Sequence, residues 1–273
     1  MEVEAFYDSL LVKNAFGDVT VGGYRKVLSK FLRDLGNSEP TSEQVERHIA
    51  GMRKVNYSYS HIRNSIVILE RYMEFIGTPV KLGRMKRPHP IVKDILSEGE
   101  VARMLGACNG IREQVIISIL AYSGIRNSEF CNLKVRDVDL DKGLIRIFDG
   151  KGSKDRLAYV SRECLKLIND YLNEYLREKD DYLITTLVEG NQYTGWDLRK
   201  RVKVISKRTG ILKRVYPHLM RHSLASHLVS RNCSVITIMN LLGHTNLNTT
   251  QIYLRSFPQK VQAEYMFVVP NYI

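Results

Sequence analysis

Residues 217–253 read PHLMRHSLASHLVSRNCSVITIMNLLGHTNLNTTQIY, and the rest of the chain is organised to serve them. His218 and Arg221 stand three apart where a helix is predicted to begin, so both side chains project from one of its faces. A second helix follows, Leu-Gly-His stands at 242–244, and a last helix carries Tyr253. Two imidazoles, a guanidinium and a phenol held together suit phosphate chemistry. A guanidinium fork grips non-bridging phosphate oxygens, imidazoles donate hydrogen bonds or move protons, and a phenol can attack phosphorus to make an ester. Each residue alone has a plainer explanation, a lone tyrosine at helical spacing being far more often core than nucleophile; only their joint occurrence points to phosphate chemistry.

Working upstream, a helix over about 112–122, apolar at Val115, Ile116, Ile119 and Leu120, stops at Ser123-Gly124. The segment SGIRNSEF at 123–130 therefore places Arg126 at the beginning of a short helix, where amides and a guanidinium together favour an anion. Glu129, three residues on, either orients Arg126 or forms a plain surface ion pair. From Val135, within LKVRDVDL at 133–140, the pattern turns strand-like, with Leu144–Phe148 and Leu157–Val160 flanking the glycine-containing turn DGKGSKDR at 149–156. This predicts a small antiparallel sheet whose hairpin turn carries Lys151. A lysine in such a turn is ordinarily just solvated, and Lys154 and Arg156 are neighbouring alternatives for any role given to it.

These pieces together resemble the tyrosine recombinases, the family of Xer recombinases, Cre and phage integrases, and most resemble a Xer-type site-specific recombinase. Arg126, Lys151, His218, Arg221, His244 and Tyr253 match all six active-site positions of the family, in its order and near its usual spacings, over about residues 97–253. The resemblance implies a mainly α protein with a small antiparallel β-sheet, in which a helical core-binding domain and a mixed α/β catalytic domain close on DNA. It implies strand cleavage through a 3′-phosphotyrosyl intermediate, with Tyr253 as nucleophile, Lys151 as general acid, and neither metal, ATP nor any other cofactor. The implied partner is double-stranded DNA, bound by a dimer per site and a tetramer in the synapse, in the cytoplasm. Resolution of chromosome dimers is the role expected of a simple Xer-like chain; a mobile-element integrase, a type IB topoisomerase-like enzyme and a catalytically inactive DNA-binding protein are the alternatives. Ile125, Asn127 and Met220 depart from the family's common residues without removing a reacting group.

The remaining sequence agrees with a DNA-binding enzyme. At 273 residues the chain can hold two domains with real cores, and a net charge of +12 calls for a polyanion, nucleic acid or an acidic membrane. No apolar run approaches the roughly 20 residues that span a bilayer, and MEVEAFYDSL is acidic where a secretion signal would be basic. Cys108, Cys131, Cys164 and Cys233 are scattered, as suits reduced thiols. His218 and His222 have the spacing of zinc ligands on a helix but lack the glutamate of H-E-x-x-H, so they predict no metal site. His222 and His227 are read as helix residues that support the site or its packing.

Residues 1–76 are predicted to form a domain of four helices, with Thr41 and Gln44 as a capping box and a stripe of Ile62, Ile66, Leu69 and Met73. Residues 77–96 read as a basic linker holding Lys81, Arg84, Lys86 and Arg87, either a strap along a phosphate backbone or merely soluble. The catalytic domain is expected over 97–257, opening with a second capping box at Ser97 and Glu100. Its basic band of Arg199, Lys200, Arg201, Lys203, Lys207 and Arg208 is read as phosphate-contacting. Residues 258–273 form an apolar tail that folds back or, as in the family, is exchanged between protomers.

Overall fold

The computed structural model describes residues 2–13, 16–36, 38–83, 85–86, 94–148, 155–186 and 190–243. Its contacts divide the chain into two compact units, residues 1–91 and 92–273.

In the first unit four helices follow one another: α1 (Glu2–Val12), α2 (Asp18–Leu35), α3 (Ser42–Lys54) and α4 (Tyr59–Phe75). The start of α3 is fixed locally. The Thr41 hydroxyl accepts from the Gln44 amide at 3.3 Å while the Gln44 side chain accepts from the Thr41 amide at 2.8 Å, so two donors that the helix cannot satisfy are satisfied reciprocally. The α4 stripe of Ile62, Ile66, Leu69 and Met73 is buried against Phe6, Leu10, Leu28 and Phe31, each such side chain contributing about 1.5–3 kcal/mol. The following segment is more than a soluble strap. Val80 is buried, Leu82 and Met85 pack on the same core, and the Leu82 amide donates to Glu70 Oε1 at 2.9 Å. Its apolar residues thus take cover while Lys81 and Lys86 stay exposed; Arg84 and Arg87 lie outside the described residues.

The second unit contains α5 (Glu98–Gly106), α6 (Ile111–Ser123), α7 (Asn127–Asn132), β1 (Val138–Asp139), β2 (Leu144–Ile147), β3 (Arg156–Tyr159), α8 (Arg162–Tyr175), α9 (Gly195–Arg208), α10 (Pro217–Ser230) and α11 (Val235–Leu242). The strands form an antiparallel sheet in the order β1-β2-β3, with Ile145 facing Val138 on one side and Ala158 on the other. Helix α6 is the hub. Val115, Ile116, Ile117, Ile119 and Leu120 are all buried, so it is apolar around its circumference and packs on α8 and α10 at once. The strand-like pattern expected from Val135 begins later, because Val135–Asp137 is a single 3₁₀ turn closed by the buried Asp137 carboxylate, which accepts from the Lys134 amide at 2.8 Å. The sequence pattern predicts a helix from Ser161 to about Lys179, but α8 ends at Tyr175, capped by Leu176 in the left-handed conformation.

Among the described residues no helix is long and apolar enough to cross a membrane. All four cysteines are free, and burial pushes the thiols of Cys131 and Cys164 up to about 11 and that of Cys108 to about 12, which keeps them protonated and unreactive.

Candidate active site

Pro217 stands in the first turn of α10, where its missing amide costs no hydrogen bond, and fixes where that helix begins. One turn on, Arg221 is carried into the interior with only 2% of its surface exposed. A buried guanidinium must find acceptors. Arg221 Nη1 donates to the Gly124 carbonyl and Nη2 to the Leu242 carbonyl. Gly124 itself ends α6 with φ +60°, and a β-carbon there would fall 2.6 Å from Leu242 Cδ2, so both its conformation and its surroundings demand glycine.

Arg126 caps α7. Its amide donates to Glu129 Oε2 at 2.6 Å, its Nη1 to Glu129 Oε1 at 2.6 Å, and its Nη2 to the Gly243 carbonyl at 2.5 Å. Glu129 is therefore no surface ion pair: its side chain is 5% exposed and meets a second guanidinium, Arg156, in a fork of 2.8 and 2.7 Å. Burial by itself would raise the carboxyl's pKa. The hydrogen bonds from Arg156 and the Arg126 amide outweigh it and hold the pKa at about 2. Arg156 Nε also reaches the Leu241 carbonyl at 3.4 Å. Arg156, Arg221 and Arg126 thus take the successive carbonyls of Leu241, Leu242 and Gly243 at the end of α11. Those carbonyls have no partner within the helix and carry the negative end of its dipole, which is where cations are stabilised. Gly243 closes the helix in the left-handed conformation, φ +61°, and a β-carbon would sit 2.6 Å from Arg156 Cδ.

His218 lies on an exposed part of α10, one turn before the buried His222, and the rings meet edge-to-face with centroids 4.6 Å apart. His227 and Ser223, further along the helix, hold the strand of chain that leads into α5: the His227 ring nitrogen is 2.8 Å from the Leu96 carbonyl, and Ser223 Oγ accepts from the Leu96 amide at 2.8 Å. Lys213 adds hydrogen bonds to the Ile95 carbonyl at 2.9 Å and to Glu100 at 2.7 Å. Arg126 also borders a cleft of about 640 Å³ that Ser128, Lys134, Arg146 and Phe148 help to line.

Of the six residues expected to form the site, Arg126, Arg221 and His218 are described; the first two meet at the end of α11, and His218 starts the helix that carries Arg221. Lys151, His244 and Tyr253 lie outside the described residues, as does the tail after 257, and His244 is the residue that follows Gly243. Arg156 emerges in a different part from the one considered for it. Its side chain is 9% exposed and bound to Glu129, so it is no stand-in for a mobile lysine. The signal for Glu129 was present in the sequence as an N-cap-to-N3 spacing; none marked Arg156 as its second partner.

The basic band on α9 divides. Arg199, Lys200, Lys203 and Lys207 are exposed, with Lys200 Nζ 4.7 Å above the ring of the exposed Trp196. Arg201 and Arg208 turn instead to the buried Glu113, at 3.0 and 2.5 Å. Burial works to raise the Glu113 pKa, but the Arg208 hydrogen bonds, the Asn109 amide and Arg201 hold it below the usual carboxylate range. These two arginines tie α9 to α6. Among the described residues no group of His, Cys, Asp and Glu could hold a metal ion.

The model of the phage integrase family matches residues 94–260. The tyrosine recombinase XerA of Pyrococcus horikoshii is 33% identical over 244 residues, which cover 86% of this chain and 82% of that relative. A crystal structure of a XerA recombinase is similar over the full length of both chains, with 29% identity and a TM-score of 0.59. The XerH site-specific recombinase bound to its difH substrate, in a pre-cleavage complex, shares the fold at a TM-score of 0.74 and 21% identity over 93% of this chain and 81% of that one.

Proposed function

This chain belongs to the phage integrase family and is a Xer-type tyrosine recombinase, and we propose that it cleaves and rejoins double-stranded DNA with Arg126, Lys151, His218, Arg221, His244 and Tyr253 as its reacting set. The observation that carries this reading is the meeting of Arg126 and Arg221, from segments far apart in sequence, on the adjacent carbonyls of Gly243 and Leu242, next to the position of His244.

A phosphodiester resists attack because its anionic oxygens repel the nucleophile and the departing alkoxide leaves poorly. Arg126 and Arg221 neutralise the non-bridging oxygens as charge grows on them, and His244 donates a further hydrogen bond; losing one donor of this kind costs about 3–4 kcal/mol of barrier, roughly a hundred- to thousandfold in rate. The Tyr253 hydroxyl attacks phosphorus and gives its proton to His218. The bond to the 5′ oxygen breaks, and Lys151 protonates that oxygen. A 3′-phosphotyrosyl ester and a free 5′ hydroxyl result. One phosphodiester has replaced another, so an incoming 5′ hydroxyl reverses the step without ATP or metal.

The exposed Arg199, Lys200, Lys203 and Lys207 on α9, with Lys81 and Lys86 in the first unit, suit contacts to phosphates. Strand exchange between two duplexes requires a dimer on each site and a tetramer in the synapse, with the tail after 257 as the segment that joins protomers. Resolution of chromosome dimers is the cellular role that fits the Xer type.

The test is to incubate the protein with a genomic duplex library nicked so that the 5′ product diffuses away, and to sequence the DNA that remains covalently bound. The wild type should capture one family of sites, and Tyr253→Phe should lose the adduct while still retarding the captured duplex. An adduct formed by that variant would refute the nucleophile; no adduct from the wild type would refute the reaction.

A further inference from the structure

Arg156 opens β3, immediately after the hairpin turn, and its guanidinium is spent inside the protein: two hydrogen bonds to the Glu129 carboxylate and one to the Leu241 carbonyl. Both oxygens of Glu129 are therefore shared, Oε1 between Arg156 Nη1 and Arg126 Nη1, Oε2 between Arg156 Nη2 and the Arg126 amide. The arrangement has an electrostatic consequence. A lone Arg126–Glu129 pair would be neutral, with the carboxylate drawing on the same charge that an incoming anion needs. With Arg156 forked onto the carboxylate, the trio carries one net positive charge, and Arg126 binds Glu129 through a single side-chain nitrogen while its other terminal nitrogen faces the end of α11. Geometry follows the same route, since Arg156 grips both Glu129 and the last turn of α11, the two elements that fix Arg126.

Resting on the assignment of Arg126 to the scissile phosphate, we infer that Arg156 is a positioning residue of the strand-cleavage reaction: through Glu129 and the Leu241 carbonyl it keeps the Arg126 guanidinium aligned and charged toward the non-bridging oxygens. It touches neither substrate nor reacting atoms. Its effect should therefore appear in the step where phosphate charge grows, and a displacement of Arg126 by about 1 Å is enough for a loss on the order of a hundredfold.

The experiment measures single-turnover adduct formation on the nicked duplex recovered by covalent capture, for wild type, Arg156→Gln, Arg156→Lys and Arg126→Ala. Each protein is assayed with an ordinary scissile phosphate and with a methylphosphonate there, in which a neutral methyl replaces one anionic oxygen. Comparing the two substrates on the same preparation cancels any loss of folded protein, so a variant that folds poorly still gives an answer. On the phosphate, Arg156→Gln should slow adduct formation roughly 10- to 100-fold, and Arg156→Lys, which keeps the charge but loses the fork, should fall between it and the wild type. On the methylphosphonate the deficit of Arg156→Gln should shrink to within about threefold, because less charge has to be neutralised. A wild-type rate for Arg156→Gln on the phosphate, or an equal deficit on both substrates, overturns the inference while leaving the reaction intact. Normal cleavage by Arg126→Ala would instead overturn the assignment on which it rests.

Discussion

Replacing Glu129 by glutamine removes a charge while keeping the shape of the side chain. In the native protein the carboxyl is held from an ordinary 4.5 down to about 2, against the cost of burial, by Arg156 and Arg126. That difference corresponds to about 3 kcal/mol at neutral pH, in line with the roughly 3–5 kcal/mol lost when a buried ion pair keeps only one of its sides. Because the folded-state pKa is the depressed one, the contribution is complete above pH 4.5 and disappears as pH falls toward 2. Glutamine cannot titrate, so the stability gap between wild type and Glu129→Gln, taken from urea unfolding of the full chain, should be about 3 kcal/mol at pH 7, about half that at pH 3, and close to nothing at pH 2. Taking the difference between the two proteins removes the other depressed carboxyls, Glu100, Glu113, Glu163 and Asp197, which titrate in both. A gap under about 1 kcal/mol at pH 7, or one that stays constant down to pH 3, would show that the Arg126–Glu129–Arg156 cluster does not hold the site together as described.

Gly124→Ala should destabilise the second unit by about 2–4 kcal/mol, since it combines a left-handed backbone with a β-carbon 2.6 Å from Leu242 Cδ2, and thermal unfolding will measure it. Lys203→Ala or Lys207→Ala should flatten the dependence of log K on log salt for duplex binding by about 0.9 each, one phosphate's worth, with little change in stability. Arg201→Ala should behave the other way, lowering the unfolding free energy because Glu113 keeps only one of its two arginines, while the salt slope holds; a flattened slope would place Arg201 on DNA after all.

Helix starts were readable because they are written within four residues: Thr41 with Gln44, and Ser97 with Glu100, close on themselves whatever the rest of the chain does. The buried stripe of α4 and the apolar set Val115, Ile116, Ile119 and Leu120 of α6 were readable for the same reason, periodicity being a property of the element alone. That Arg126 and Arg221 come together at the end of α11 was legible only as a resemblance, since nothing in their spacing says that the start of α7 and the middle of α10 reach adjacent carbonyls. The segment after α4 shows the limit of composition: its bases predict a solvated strap, yet Val80, Leu82 and Met85 fasten it to a core.

By itself, then, the sequence determined which residues begin helices, which faces turn inward, and which chemical groups are present. Tertiary structure alone decided that three arginines from α10, β3 and the start of α7 share the carbonyls of Leu241, Leu242 and Gly243 at the end of α11, that Glu129 is clasped from two sides, and that Arg201 and Arg208 of the basic band spend themselves on Glu113. The physical reason is the range of the forces. Capping and periodicity act over one or two turns of chain, whereas a long guanidinium chooses its partner only after packing has brought segments dozens of residues apart within hydrogen-bonding distance, and burial has made leaving that charge unpaired too costly.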